Sequence, residues 1–279
     1  MRFIRLAHWV KLSLCLIGAV HCGGALAADT DSGLDPAAVS SAVGAEGTAD
    51  DGARDASSIG REALLAKDYA TAYRMLRSAA EQGDAQAQSA LGGMVLAGLG
   101  VAADVVAALA WYHSAAAQGD AESQLTLGLM YAGGQGVARD DEAAVKWFRL
   151  AAENGDSAAK SYLGEMYLQG RGVEKNEAEA AMWLQMAARH GEPQAQSSLG
   201  VMFLHGRGVE QDHAEAAQWF QRAAEQGDAL AQYHLGVSYA QGRGVNQDSE
   251  EAIKWLRSAA QQGLSLADDY LRASASTVR

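Results

Sequence analysis

Residues Ala223 to Val245 read AAEQGDALAQYHLGVSYAQGRGV, and the architecture of the chain follows from their punctuation. Gly227 ends one run of helical spacing, and Asp228 follows it at once. This pairs a left-handed helix end with an N-cap for the next helix. Leu235-Gly236 lies inside the second run, and Gly242-Arg243-Gly244-Val245 closes it. Each mark recurs with a step of 36 residues. Leu-Gly stands at 91–92, 127–128, 163–164, 199–200 and 235–236, and tryptophan at Trp111, Trp147, Trp183, Trp219 and Trp255. Single glycines stand at Gly83, Gly119, Gly155, Gly191, Gly227 and Gly263, and Gly-x-Gly-Val loops at 98–101, 134–137, 170–173, 206–209 and 242–245. Four markers in one phase, with no insertion, identify a repeat array.

Periodicity inside each unit is helical. Ala144, Trp147, Phe148, Ala151 and Ala152 fall at i, i+3, i+4, i+7 and i+8, one apolar stripe. The stripe returns as Ala180, Trp183, Leu184, Ala187, Ala188 and as Ala216, Trp219, Phe220, Ala223, Ala224. Asp104, Asp140, Asn176, Asp212 and Asp248 stand at the N-cap of this second helix. Glu179, Glu215 and Glu251 three residues on suggest capping boxes. The first helix carries Leu-Gly, with Ala159, Leu163, Gly164, Met166 and Tyr167 as its inner face in one unit. A mid-helix glycine costs about 1 kcal/mol relative to alanine, so its recurrence points to a close helix approach. The tryptophans are expected to fill the remaining core volume. Where Asp84, Asp120, Asp156 and Asp228 cap first helices, Glu192 is followed by Pro193, a residue suited to the first helical position.

One helix pair cannot bury both its faces, so the units must stack into a solenoid. Five repeats are expected over about 84–263 of a solenoid domain spanning 61–279. Asp68, Ala72, Leu76, Ala79 and Ala80 continue the second-helix phase backwards, with Met75 at the tryptophan position, giving an N-terminal cap over 61–82. Ala267 and Leu271 predict a closing helix over 264–274.

Residues 1–27 read as a secretory signal. Arg2, Arg5 and Lys11 precede a short apolar core from Leu12 to Val20, and Ala25-Leu26-Ala27 is a small-x-small cleavage site. The apolar run is well short of the ~20 residues of a spanning helix, so no stable membrane insertion is expected after cleavage. Both cysteines, Cys15 and Cys22, fall inside this segment, which leaves a mature chain without a thiol. Cleavage leaves 19 basic against 34 acidic residues, a balance of −15 where the full chain has −12. Residues 28–60 are rich in Ala, Gly, Ser and Asp, without an aromatic residue, and read as a disordered acidic linker. The acidic balance opposes nucleic-acid binding, which needs a basic footprint. The 31 glycines have no G-X-Y period, which excludes collagen.

Ala-Ala-Glu-Gln-Gly-Asp-Ala-x-Ala-Gln, then Leu-Gly-x-x-Tyr, then Gly-x-Gly-Val, resembles the Sel1-like repeat over residues 68–271. The resemblance implies an all-α, right-handed α-solenoid related to tetratricopeptide repeats. It implies a non-enzymatic scaffold, without cofactor or metal, that binds a protein partner in the periplasm or outside the cell. A carbohydrate-binding role in polysaccharide export is the alternative. Cysteine-rich secreted members of the family carry a disulfide in each repeat, and β-lactam hydrolysis belongs to that branch. A mature chain without cysteine departs from it.

Candidate chemistry elsewhere is sparse. Ser157-Ala158-Ala159-Lys160 matches S-x-x-K, but the S-D-N and K-T-G partners of that chemistry do not occur. Lys160 replaces the glutamines at 88, 124, 196 and 232, which reads as surface variation. The histidines of the array fall at different repeat phases without metal-ligand spacing. The Gly-x-Gly loops follow helices rather than strands and lack the third glycine of a dinucleotide fingerprint. Two rows remain as candidate partner-binding surfaces. Tyr162, Glu165, Tyr233 and His234 vary beside the fixed Leu-Gly and would border the inner face of a tetratricopeptide-like superhelix. Arg171, Arg207 and Arg243 occupy the middle of three successive loops, a basic ridge suited to carboxylates unless nearby acids such as Glu174 and Glu210 pair with it.

Overall fold

Helix ends come first, because they set the frame. In a computed structural model the described residues are 49–277. The signal segment 1–27 and the linker up to residue 48 lie outside the described residues. Thirteen α-helices and no strand occur among the described residues: α1 Ala49–Leu65, α2 Tyr69–Glu81, α3 Ala85–Ala97, α4 Val105–Ala117, α5 Ala121–Gly133, α6 Asp141–Glu153, α7 Ser157–Gln169, α8 Glu177–Arg189, α9 Pro193–His205, α10 His213–Glu225, α11 Ala229–Gln241, α12 Ser249–Gln261 and α13 Ser265–Thr277. The all-α helix-turn-helix organisation expected from the sequence is what these residues form. The chain divides into two compact units, one ending at Ser123 and one beginning at Gln124.

Caps sit where the punctuation places them. Asp140 accepts the N–H of Ala143 at 2.9 Å, and Asp212 accepts those of Ala214 and Glu215 at 2.8 and 3.0 Å. Glu192 makes no side-chain cap bond, and Pro193 opens α9 instead. The reciprocal half of the capping box is not what Glu179 and Glu251 do. Glu179 accepts the Trp183 indole N–H at 3.2 Å, and Glu251 pairs with Lys254 at 2.8 Å. Each Gly-x-Gly loop uses its two glycines differently. Gly170 is the left-handed C-cap of α7 at φ 67°, whereas Gly172 lies on the backbone of Asp141 at the start of α6. A side-chain carbon at Gly172 would run into that carbonyl oxygen.

In the first unit, α1 extends the ordered chain upstream of the expectation. The linker reading ended at residue 60 and the cap was placed at 61–82, yet residues 49–60 are helical. The buried face of α1 contains Ser57 and Gly60 rather than large apolar groups, which is why composition reads it as linker. Gly60 meets Leu76, as Gly92 meets Tyr112 in the following repeat. The connection between α1 and α2 spans only residues 66–68, with Lys67 at φ 63°, so the glycine falls out of the 36-residue step and escapes a search by phase.

In the second unit, the helical glycines admit the residue after each tryptophan. Phe148, Leu184, Phe220 and Leu256 lie against Gly128, Gly164, Gly200 and Gly236, and all four are at most 1% exposed. A Cβ at Gly164 would stand 2.6 Å from Leu184 Cγ. The tryptophans do not fill the core of one repeat alone. Trp147, Trp183 and Trp255 are only half-buried, and Trp219 alone is buried among the described tryptophans. Trp183 packs against a core shared by two repeats, with Ala144 and Phe148 of the one before it and Leu163 of its own. Trp219 joins the cluster of Leu184 and Leu199, and Trp255 that of Phe220 and Leu235. One position along the helix turns a side chain by ~100°, so Phe148 faces its own partner helix while Trp183 bridges repeats. At the C-terminus the closing helix α13 runs from Ser265 to Thr277, three residues beyond the expected end, with Ala267 fully buried.

Candidate functional site

The first-helix row resolves into two clusters of half-buried side chains. On α7, Tyr162 stacks on Phe148 with centroids 5.2 Å apart and rings inclined by 15°. One turn on, Glu165 accepts the Ser198 hydroxyl of α9 at 2.5 Å, which ties two consecutive first helices together. On α11, His234 stacks on Phe220 at 4.8 Å, and Tyr233 meets it edge-on at 5.3 Å. Tyr233 also meets Tyr270 of α13 edge-on at 6.5 Å. Sequence reading missed Tyr270, although it lies one 36-residue step beyond His234 and continues Tyr162 and Ser198. Burial, with His205 nearby, pushes the His234 imidazole below its ordinary value, so the ring is neutral near pH 7. Along α7, α9 and α11 the only ionisable side chains besides the tyrosines are Lys160, Glu165, His205 and His234. Most charge lies on the second helices and loops.

The arginine row is not a ridge of three free cations. Arg171 pairs with Asp141 at 2.6 Å, and Arg139 closes on the same carboxylate at 2.9 Å. Hydrogen bonds from Arg171 and then Arg139 hold the Asp141 carboxyl down at about 2. Arg207 pairs with Glu177 at 2.9 Å, and Lys175 reaches the same oxygen at 3.1 Å. Arg207 and then Lys175 lower the Glu177 carboxyl from its ordinary value. The partners therefore come from the preceding repeat, thirty residues upstream, and not from Glu174 or Glu210. Arg243 is exposed and has no acidic partner among the described residues. Its frame position faces His213, where the two earlier repeats carry Asp141 and Glu177.

The S-x-x-K string dissolves into repeat structure. Ser157 donates to Glu192 at 2.5 Å, the long acid that stands at the next N-cap without capping it. Lys160 does not vary a surface position. Its equivalents Gln88, Gln124, Gln196 and Gln232 are 3–7% exposed. Three of them donate to the last turn of the preceding second helix, at Ala80, Ala188 and Ala224, over 3.1–3.2 Å. All four accept an amide from the C-cap thirty residues on: Gln118, Asn154, Gln226 or Gln262, at 2.8–2.9 Å. Gln88, Gln196 and Gln232 so clip the end of one second helix to the end of the next. The clip is broken at Lys160, whose ammonium has no acceptor among the described residues, and the C-cap there is His190, turned onto the Met186 carbonyl at 2.8 Å. Among the described residues no three His, Cys, Asp or Glu side chains converge as metal ligands, and no helix is long and apolar enough to cross a membrane.

A family model described as Sel1 repeat matches six segments, 60–84, 85–120, 121–156, 157–192, 193–228 and 229–264. The first starts inside α1, at the glycine that meets Leu76. No curated protein matches the chain. Among solved structures, the chain is similar to a protective antigen of uropathogenic Escherichia coli displaying an SLR fold, at 38% identity and a TM-score of 0.74. That match covers 78% of this chain but only 48% of the antigen, so the chain spans about half its length. A Sel1 repeat protein from Oxalobacter formigenes is similar at 36% identity and a TM-score of 0.72, with 76% of this chain and 85% of that one covered.

Proposed function

Because the chain belongs to the Sel1 repeat family, we propose that it is an exported, non-enzymatic scaffold whose first-helix row takes up a segment of a protein partner. Sel1 repeats in general serve protein–protein interaction and not catalysis. The observation that carries the reading is the row itself. Tyr162, Ser198, His234 and Tyr270 recur one repeat apart, half-buried, with Tyr233 alongside. Rings held in place by Phe148 and Phe220 offer rigid amphipathic area at low entropic cost. With few charges on these helices, the partner is held by apolar and neutral polar contacts. Export is supported by the basic n-region, the short apolar core and the Ala25-Leu26-Ala27 site. Resemblance to a protein described as a protective antigen is in keeping with it.

The mature chain, purified from its own envelope fraction, is expected to begin at Ala28 and to carry one protein enriched over control. Tyr233→Ser with Tyr270→Ser should weaken capture roughly thirtyfold, since each lost aromatic anchor costs about 1 kcal/mol, while helicity by circular dichroism stays unchanged. Enrichment of nothing above control, or equal capture by the folded double variant, sinks the reading.

A further inference from the structure

The loop arginines complete one arrangement twice and leave it open the third time. Gly172 sits on the carbonyl oxygen of Asp141, Gly208 on that of Glu177 and Gly244 on that of His213, each too closely for a side-chain carbon. The arginine before each glycine is therefore held over the first residue of a second helix in the preceding repeat. At two of these places the guanidinium meets a carboxylate, and a second cation, Arg139 or Lys175, shares it. At the third the frame reads Gln211, His213 and Arg243. Gln211 spends its amide on the Leu204 carbonyl at 2.8 Å. Asp212 is engaged with the N–H groups of Ala214 and Glu215. Arg243 has no acidic partner among the described residues, and the Nδ1 of His213 is buried without a hydrogen-bond partner. The Arg243 guanidinium is thus left to water and the buried His213 Nδ1 without a hydrogen bond, where the neighbouring repeats each hold a carboxylate.

We propose that Arg243 and His213 form a carboxylate-binding site, filled by an acidic group supplied from outside the chain. The guanidinium presents a planar fork to both carboxylate oxygens, as Arg171 does to Asp141. The site lies on the loop edge and not in the first-helix row, so it stands or falls independently of the proposed function.

The test reads the Arg243 Nε–H and His213 ring signals by NMR in the mature protein. Sodium acetate is titrated against sodium chloride at matched ionic strength. A saturable shift with acetate alone is expected. Binding should weaken roughly tenfold in Arg243→Gln, the loss of a charge-assisted hydrogen bond. His213→Glu gives the third repeat its own carboxylate. In that variant the Arg243 signal should stand shifted from the start and ignore acetate. Two short peptides separate the sources: an amidated one with a single Asp, and one with Asn and a free C-terminus. Saturation by the first identifies a side-chain carboxylate, and by the second a chain end. Shifts equal to those with chloride, or an unchanged His213 response in Arg243→Gln, overturn the proposal.

Discussion

At the scale of the residue, a hydrogen atom at Gly164 is what allows α7 and α8 to meet. Alanine there would gain about 1 kcal/mol of helix propensity. It would also push a Cβ to 2.6 Å from Leu184 Cγ, within 3.3 Å of the Ala180 carbonyl oxygen. Overpacking of this kind costs about 1–3 kcal/mol, so the clash wins. Gly164→Ala should lower the thermal midpoint, and in a Leu184→Ala background the same change should cost less or nothing. A calorimetric scan of the four proteins checks both. The Leu-Gly, Gly and Gly-x-Gly-Val positions were legible because a fixed step multiplies a weak local signal. The role of the tryptophans was not. Trp183 and Leu184 share one stripe, and periodicity does not tell which faces the partner helix and which reaches the repeat before. Gln88, Gln124, Gln196 and Gln232 were misread for a related reason: an amide looks like a surface residue until its buried partners are seen.

At the scale of the element, ion pairs join neighbouring repeats through the starts of α6 and α8. Asp141 opens α6, accepts both Arg139 and Arg171, and titrates at about 2. Its unfolded value lies near 3.9. A depressed carboxyl stabilises the folded state fully above the unfolded value, and that contribution is lost as pH falls through the folded one. Acid unfolding followed by circular dichroism should therefore show a loss between about pH 4 and pH 2, and Arg171→Gln with Arg139→Gln should flatten that part of the curve. An unchanged slope would mean that the pair adds nothing at this exposure. Second-helix caps were read correctly at Asp104, Asp140, Asn176, Asp212 and Asp248. Helix α1 was not, because Ser57 and Gly60 pack by being small, and small residues carry no hydrophobic period.

At the scale of the molecule, a repeat array is stabilised by its units and by the junctions between nearest neighbours. Where neighbours are joined by the same bonds, no junction is weaker than another. Lys160 and His190 break that uniformity. Restoring the pair with Lys160→Gln and His190→Gln should add about 1 kcal/mol, which raises the midpoint by roughly 2–4 °C in a protein of this size. It should also slow amide exchange at the C-terminal ends of α6 and α8, and exchange unchanged there would show that the missing bond is made up elsewhere. The wild-type chain consequently has a perforation line. Pulled from its ends or warmed, it should tear between α6 and α8 before it tears at the clipped junction between α8 and α10, so the cluster of Tyr233, His234 and Tyr270 would come away on a piece of array still in one part.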